Sequence, residues 1–279
     1  MNKKRLVETN ILENVQIIEN VYKLRLKLPL DYPASIPGQF VNVYLNDASK
    51  LLPRPISILD HEDHVMELAY MIMGDGTKDL SKYVSHTAIR ISTPLGNGFR
   101  LHTKAANEES TYVLIGGGIG IAPLHYTAKY INNNYPTFSL QAILGYKDEP
   151  FLNETFEPYC SQVKVCSEAN TYTEGSNKGY IKGNVLTPLN DMDIAQEATY
   201  LACGPTPMLH AISEYAADHH IKNLQVSVEE RMGCGFGTCV GCSIRLRNTN
   251  SQNPEDSAII QKKVCKDGPV FNGNEVIFR

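Results

Sequence analysis

Three cysteines stand within nine positions in RMGCGFGTCVGC, residues 231–242, and the spaces between them are filled mostly by glycine and other small residues. So little apolar side chain cannot build a core, so this part of the chain needs a staple. Cys234, Cys239 and Cys242 make a C-x4-C-x2-C pattern, and Cys265 follows after a spacer of twenty-two residues. This is the plant-type spacing for a [2Fe-2S] cluster with a distal fourth thiolate. The intervening glycines let the backbone approach the sulfurs closely, and backbone N–H groups aimed at those sulfurs would tune the cluster. A structural zinc site is the alternative, because zinc also takes four thiolates. Zinc ribbons pair two C-x2-C knuckles, however, and only Cys239 and Cys242 form one here. Unligated thiols are the third reading.

The chain carries seven cysteines, an odd number, among 279 residues. Its start, MNKKRLVETNILENV, lacks the continuous apolar region of a secretory signal, and no run approaches the roughly 18 apolar residues needed to cross a bilayer. A cytoplasmic location is therefore expected, where clustered cysteines serve metals or redox chemistry more often than disulfides. The formal charge of −4 offers no basic field for nucleic acid or an anionic membrane. With 42% hydrophobic residues, the chain can support two ordinary domains and a small appendage.

Up to about residue 103, short alternating runs separated by Pro, Gly and Asn read as strands: YKLRLKL, GQFVNVYL, HVMELAYMIM and TAIRISTPLG, with GTKDLSKYV as a short helix. The spacing predicts a closed antiparallel barrel. From YVLIGG onward, strand and helix patterns alternate through SLQAILGY, VKVCSEA, NVLTPL, ATYLACGP, MLHAISEYAADHH and LQVSVEE, which predicts a parallel sheet covered by helices. The fold class is thus an N-terminal antiparallel β-barrel (1–107), a central α/β parallel-sheet nucleotide domain (108–225) and a small C-terminal cysteine module (226–279). The boundary is placed at Glu108 to Thr111, and RNTNSQNPEDSA reads as a solvated loop within the last module. Cys160 and Cys166 read as small buried residues, and His219 and His220 as helix-closing side chains on the last carbonyls.

Two groups of residues suggest anionic ligands. Arg54, Pro55, Ile56 and Ser57 stand at the end of an expected barrel strand, where an arginine fork suits a pyrophosphate. Gly76 and Thr77 open the short helix, and Gly96 and Gly98 mark a turn at the end of the barrel. Gly116, Gly117, Gly118 and Gly120 in LIGGGIGIAPL lie between a strand and a helix, a second place for a pyrophosphate, although the run departs from G-x-G-x-x-G. No Ser/His/Asp constellation is evident, and the eight histidines are scattered.

Together the tetrapeptide, the Gly76-Thr77 segment, the glycine loop and CGPTPML (Cys203 to Leu209) resemble the ferredoxin reductase superfamily in content and order. NTYTEGSNKGYI is also similar to a stretch of that superfamily. With the cysteine module added, the chain resembles the electron-transfer subunits of NAD-dependent (class 1B) dihydroorotate dehydrogenases, from which it departs in the long spacer before Cys265. The resemblance implies that Arg54, Pro55, Ile56 and Ser57 hold FAD, that Ala69, Tyr70 and Met71 add backbone contacts, and that Gly76 and Thr77 receive the pyrophosphate. Gly116, Gly117, Gly118 and Gly120, with Cys203, Gly204 and Pro205, would line the NAD side. Cys234, Cys239, Cys242 and Cys265 would ligate the [2Fe-2S] cluster. Asp148 and Glu149 would repel a 2′-phosphate, which favours NAD over its phosphorylated form.

The implied role is an oxidoreductase subunit with cofactor-borne chemistry and no protein nucleophile. It would pass electrons between NAD(H), FAD, the cluster and an FMN-containing catalytic subunit of pyrimidine biosynthesis, in a heterotetramer with two of each subunit. Two rival readings share the motifs. One is the flavin and cluster subunit of another complex, such as a NADH-dependent ferredoxin:NADP oxidoreductase, a sulfide dehydrogenase or a hydrogenase. The other is a non-catalytic, zinc-binding regulatory protein on the same scaffold.

Overall fold

The computed structural model describes residues 4–101, 110–169, 180–192, 197–248 and 259–278. Two strands open the chain, β1 (Leu6–Ile18) and β2 (Val21–Lys27), followed by β3 (Phe40–Tyr44), β4 (Arg54–Glu62), β5 (Val65–Met71), helix α1 (Asp75–Leu80) and β6 (Ala88–Ser92). The six strands close into an antiparallel barrel in the order β1-β2-β5-β4-β3-β6, as the alternating runs predict. Inward positions along the strands supply the barrel core, among them Ile11, Leu24, Val41, Val43, Ile58 and Ile91. Alternation then obliges Phe40 and Asn42 on β3 to leave the barrel on its other face.

The second unit comprises β7 (Thr111–Gly117), α2 (Ile121–Asn134), β8 (Ser139–Tyr146), β9 (Gln162–Ser167), β10 (Ile181–Lys182), α3 (Leu186–Asn190), β11 (Thr199–Cys203), α4 (Thr206–Asp218) and β12 (Leu224–Ser227). The sheet order is β10-β9-β8-β7-β11-β12, all parallel, and a seventh strand, β15 (Val270–Asn272), joins β12 antiparallel. The sheet thus continues into the last stretch of the chain, and β12 itself runs to Ser227. Its near-continuous apolar strands follow from burial on both faces.

Helix α2 ties the two units together through its two faces. Ile121, Leu124, Ala128 and Ile131 enter the core under the sheet, while Ala122 and Tyr126 pack on the barrel side. From that second face Lys129 Nζ reaches Asp60 at 2.6 Å and Glu62 at 2.7 Å, and Tyr126 OH donates to the Ser35 carbonyl at 3.0 Å.

The hairpin β13 (Ser243–Arg247) and β14 (Ile259–Lys263) occupies most of the described spacer between Cys242 and Cys265, with α5 (Val264–Asp267) after it. Ser243 pairs with Lys263, so the spacer leaves and returns at one place and sets the fourth cysteine beside the third. The expected domain boundary and the RNTNSQNPEDSA loop fall largely, and NTYTEGSNKGYI almost entirely, outside the described residues. His219 Nδ1 lies 2.9 Å from the Tyr215 carbonyl at the end of α4, as expected of a helix-closing histidine. Cys166 is fully buried and Cys160 half-buried.

Candidate electron-transfer site

The stretch Arg54 to Ser57 opens β4 rather than ending a strand, which corrects the sequence expectation: the strand signal lies downstream, in ILDHE. Its surroundings make it more distinctive. Pairing of β4 with β5 ends at Ile58 opposite Leu68, beyond a register shift. Arg54 to Ser57 are therefore paired with β3, and Ala69 to Met71 with β2. The two stretches predicted for the flavin lie on strand ends that have parted, leaving backbone along an open seam.

The guanidinium of Arg54 crosses to the first turn of α1. It packs on Gly76 so closely that an ideal Cβ there would lie 2.0 Å from both Nε and Nη2. Arg54 also donates to the Leu52 carbonyl, which fixes the head of the side chain. Thr77 Oγ1 accepts from the Met73 N–H at 2.9 Å and donates to the Gly74 carbonyl at 3.1 Å, shaping the entry to α1. Ala69 packs its side chain with Leu59 and Ala122. Tyr70 stacks on Tyr22 with ring centroids 5.5 Å apart and donates from its hydroxyl to Asn14 Oδ1 at 3.0 Å. Both residues thus leave only backbone to offer a ligand at the seam.

The glycine loop and CGP come together at the carboxyl ends of β7 and β11, where Cys203 pairs with Gly116. A Cβ at Gly120 would lie 2.5 Å from the Cys203 carbonyl oxygen and 2.7 Å from Gly204 Cα. One at Gly117 would lie 2.4 Å from Met208 Sδ, and one at Gly204 the same distance from Met208 Cε. Gly118 has φ +53° and open space where a side chain would stand. Ligands of open α/β sheets bind at such carboxyl ends, and here α2 starts immediately after the glycines. Burial pushes the Cys203 thiol up to about 12, so it remains neutral lining and not a nucleophile.

Of the four cysteines of the last module, two form a close pair and a third collects backbone N–H groups. Cys242 and Cys265 are buried with their sulfurs 3.2 Å apart. Cys234 Sγ accepts from the N–H groups of Thr238 at 3.3 Å and of Phe236 and Cys239 at 3.4 Å. Desolvation opposes ionisation of Cys234, yet the N–H groups of Cys239, Phe236 and Thr238 bring it down to about 6. Burial, aided by the neighbouring Cys242 sulfur, instead pushes Cys265 up to about 12. A loop whose amides already converge on one sulfur is arranged for a thiolate. Among the described residues, no three His, Cys, Asp or Glu side chains gather closely enough to hold a single metal ion. The C-x4-C-x2-C spacing with a distal fourth thiolate suits the two irons of a binuclear cluster better than one zinc.

Sequence reasoning missed the side chains that dock this module on the barrel. Asn42 Nδ2 donates to the Cys234 carbonyl at 3.1 Å. Asn97 Nδ2 donates to the Asp267 and Val270 carbonyls at 3.0 and 3.1 Å, and its Oδ1 accepts from the Val270 N–H at 3.1 Å. Gln225, on β12 of the central sheet, instead ties that sheet to the segment after the barrel through two 2.8 Å hydrogen bonds with the backbone of Arg100. The one available signal was a lone amide in the apolar strand FVNVY.

A six-stranded barrel with β4 and β5 parted at one end, a parallel sheet with a glycine turn and an appended cysteine module define the ferredoxin reductase-like class. A solved NADH-dependent reduced ferredoxin-NADP oxidoreductase has this fold, with a TM-score of 0.79 at 24% identity over 97% of this chain and 90% of that one. Phthalate dioxygenase reductase is a second example, with a TM-score of 0.64 at 16% identity over 93% and 94% of the two chains. The profile of the iron-sulfur cluster binding domain of dihydroorotate dehydrogenase B matches residues 229–277. The dihydroorotate dehydrogenase B (NAD(+)) electron transfer subunit of Caldanaerobacter subterraneus subsp. tengcongensis is 34% identical over 98% of both chains. That of Clostridium perfringens is 31% identical over 95% of this chain and 96% of its own. This chain belongs to the family of dihydroorotate dehydrogenase B electron transfer subunits.

Proposed function

We propose that the chain carries electrons between NAD(H) and the FMN-containing catalytic subunit of a dihydroorotate dehydrogenase, through FAD and a [2Fe-2S] cluster of its own. The observation that carries this reading is the placement of β3. One face of that strand pairs with Arg54–Ser57, while Asn42 on the same strand holds the Cys234 loop, so flavin strand and cysteine loop are neighbours. The full-length likeness to the family supports the choice of partner over the rival complexes, whose fold alone is shared.

When bound, FAD exchanges a hydride with the nicotinamide and single electrons with the cluster, which is why both groups are needed. The protein binds and orients. Arg54, with Gly76 and Thr77 at the start of α1, would hold the pyrophosphate, and Pro55, Ile56 and Ser57 with the backbone of Ala69, Tyr70 and Met71 would line the ring. Gly116, Gly117, Gly118 and Gly120 admit the NAD pyrophosphate to the start of α2, with Cys203, Gly204 and Pro205 flanking the nicotinamide. Cys234 and Cys239 would hold one iron, Cys242 and Cys265 the other. Cys239, Val240 and Gly241 are exposed, which gives the electrons an exit toward the partner.

The working units on this reading are 1–107 for FAD, 108–225 for NAD and 226–279 for the cluster, assembled two and two with the catalytic subunit. No helix among the described residues is long and apolar enough to cross a membrane. A cytoplasmic site in pyrimidine biosynthesis is the setting we assign. Co-purification from native extract with an untagged partner, followed by NADH-linked interconversion of dihydroorotate and orotate, tests the proposal. A different copurifying partner and no orotate-linked turnover would overturn it.

A further inference from the structure

The Asn42 side chain is fully buried, yet only half of its hydrogen-bonding capacity is used. Its Nδ2 donates to the Cys234 carbonyl at 3.1 Å, while its Oδ1 is buried without a partner. An acceptor buried without a partner is destabilising, and an apolar residue of similar size would avoid that cost. The neighbours Val41 and Val43 are such residues, both fully buried in the barrel core. The amide therefore costs the barrel stability, and what it gains lies outside the barrel.

What it touches is the cysteine loop. Gly235, the residue after Cys234, has φ +72°, and a Cβ there would lie 2.3 Å from Asn42 Nδ2. The glycine's conformation and the amide's reach thus depend on each other. Asn42 is itself held: its N–H donates to Ser92 Oγ at 2.9 Å, and it stands opposite Pro55 on the neighbouring strand β4. Two places earlier on the same face, Phe40 pairs with Ser57 and belongs to the buried cluster containing Cys242, Val264 and Cys265. A single strand, with neighbours normally 4.7–4.9 Å away, separates the flavin tetrapeptide from the cysteine module.

We infer that Asn42 is a positioning residue that sets the spacing and orientation of the cluster loop relative to the flavin strand, and thereby the rate at which electrons cross between them. The inference rests on the assignment of FAD to Arg54–Ser57 and of the cluster to the four cysteines. Asn42 touches no reacting group and acts through the Cys234 peptide, whose carbonyl it polarises beside a ligand sulfur.

The test uses the purified complex with its catalytic subunit, carrying Asn42→Leu or Asn42→Ala, with the unsubstituted complex as control. Readouts are FAD and iron content, the electron paramagnetic resonance spectrum and midpoint potential of the cluster, and stopped-flow rates after mixing with NADH. Flavin reduction by NADH should keep its rate, whereas cluster reduction should slow about 10- to 100-fold, the usual effect of removing a group that orients a metal ligand. The cluster spectrum or potential should shift as well. Loss of iron from both variants with FAD retained would equally support the inference, since only the cluster loop would have been released. Unchanged cluster spectrum and transfer rate in both variants would overturn it, as would joint loss of FAD and iron, which would make Asn42 a support of the whole barrel. Absence of iron from the unsubstituted complex would instead remove the cluster assignment itself.

Discussion

The Arg54 guanidinium lies against the Cα of Gly76, in the space a side chain at position 76 would take. Two residues twenty-two positions apart thereby form one corner between β4 and α1, the place proposed for the FAD pyrophosphate. Arg54→Ala removes its charge and donors. Hydrogen bonds to charged groups contribute about 1.5–3 kcal/mol, so FAD should bind roughly 10- to 100-fold more weakly. Gly76→Ala should do the same by displacing the guanidinium. Flavin titration of the apoprotein checks both, and undiminished affinity would remove the corner from the flavin site.

At the carboxyl ends of β7 and β11 the contact is between backbones. A methyl at Gly120 would meet the Cys203 carbonyl at 2.5 Å, and no side-chain rotation relieves that. Gly120→Ala should force apart the ends of β7 and β11, at an overpacking cost of about 1–3 kcal/mol. The expected result is a raised KM for NADH and a lowered melting temperature with FAD retained. Wild-type KM would show that the two loops do not build one site.

Cys239→Ser should remove the cluster's absorption and stop transfer to the partner while NADH still reduces the flavin. Cys166→Ser serves as the control: Cys166 is buried on β9, its thiol pushed up to about 12 by burial, and the change should leave the iron content unchanged. Metal analysis and visible spectra distinguish the two. Equal iron in both variants would exclude Cys239 as a ligand.

Acid should loosen the seam between barrel and α2. His125 Nδ1 lies 3.1 Å from the Leu59 carbonyl, and His61 Nδ1 lies 2.8 Å from Ser35 Oγ. Burial holds both histidines below the ordinary value of 6.5. Just below 6.5 the unfolded chain takes up protons that the folded chain refuses. Stability therefore falls as pH drops through that point toward the folded-state values. Melting at about pH 7.5 and 5.5 should show the loss, and a smaller one in His125→Gln. Equal losses would place the acid sensitivity elsewhere.

Chemistry written as spacing was legible in the chain; chemistry written across the fold was not. The four cysteines, the glycine loop and Arg54–Ser57 announce themselves through residue types that few other roles require. Strand β1 was missed because Glu, Asn and Thr interrupt its apolar positions, although Val7, Thr9 and Ile11 alternate inward once the barrel closes. Strand β13 does alternate, as Ser-Ile-Arg-Leu-Arg, but over only five residues beside a polar stretch, and its partner β14, Ile-Ile-Gln-Lys-Lys, carries no alternation to mark the pair. Asn42, Asn97 and Gln225 act on partners far away in sequence, and an isolated amide gives no hint of which backbone it will hold. The long spacer before Cys265 resolves into a hairpin that returns to its starting point, so it brings the Cys265 sulfur back beside that of Cys242.

The account stands on electrons passing from flavin to a cluster held by Cys234, Cys239, Cys242 and Cys265. Metal and flavin analysis of anaerobically purified complex, followed by electron paramagnetic resonance after adding NADH, addresses this directly. About two irons and one FAD per chain are expected, with a reduced-cluster signal that grows in as the flavin is turned over. Zinc at the four cysteines, or iron that NADH leaves oxidised, would contradict it.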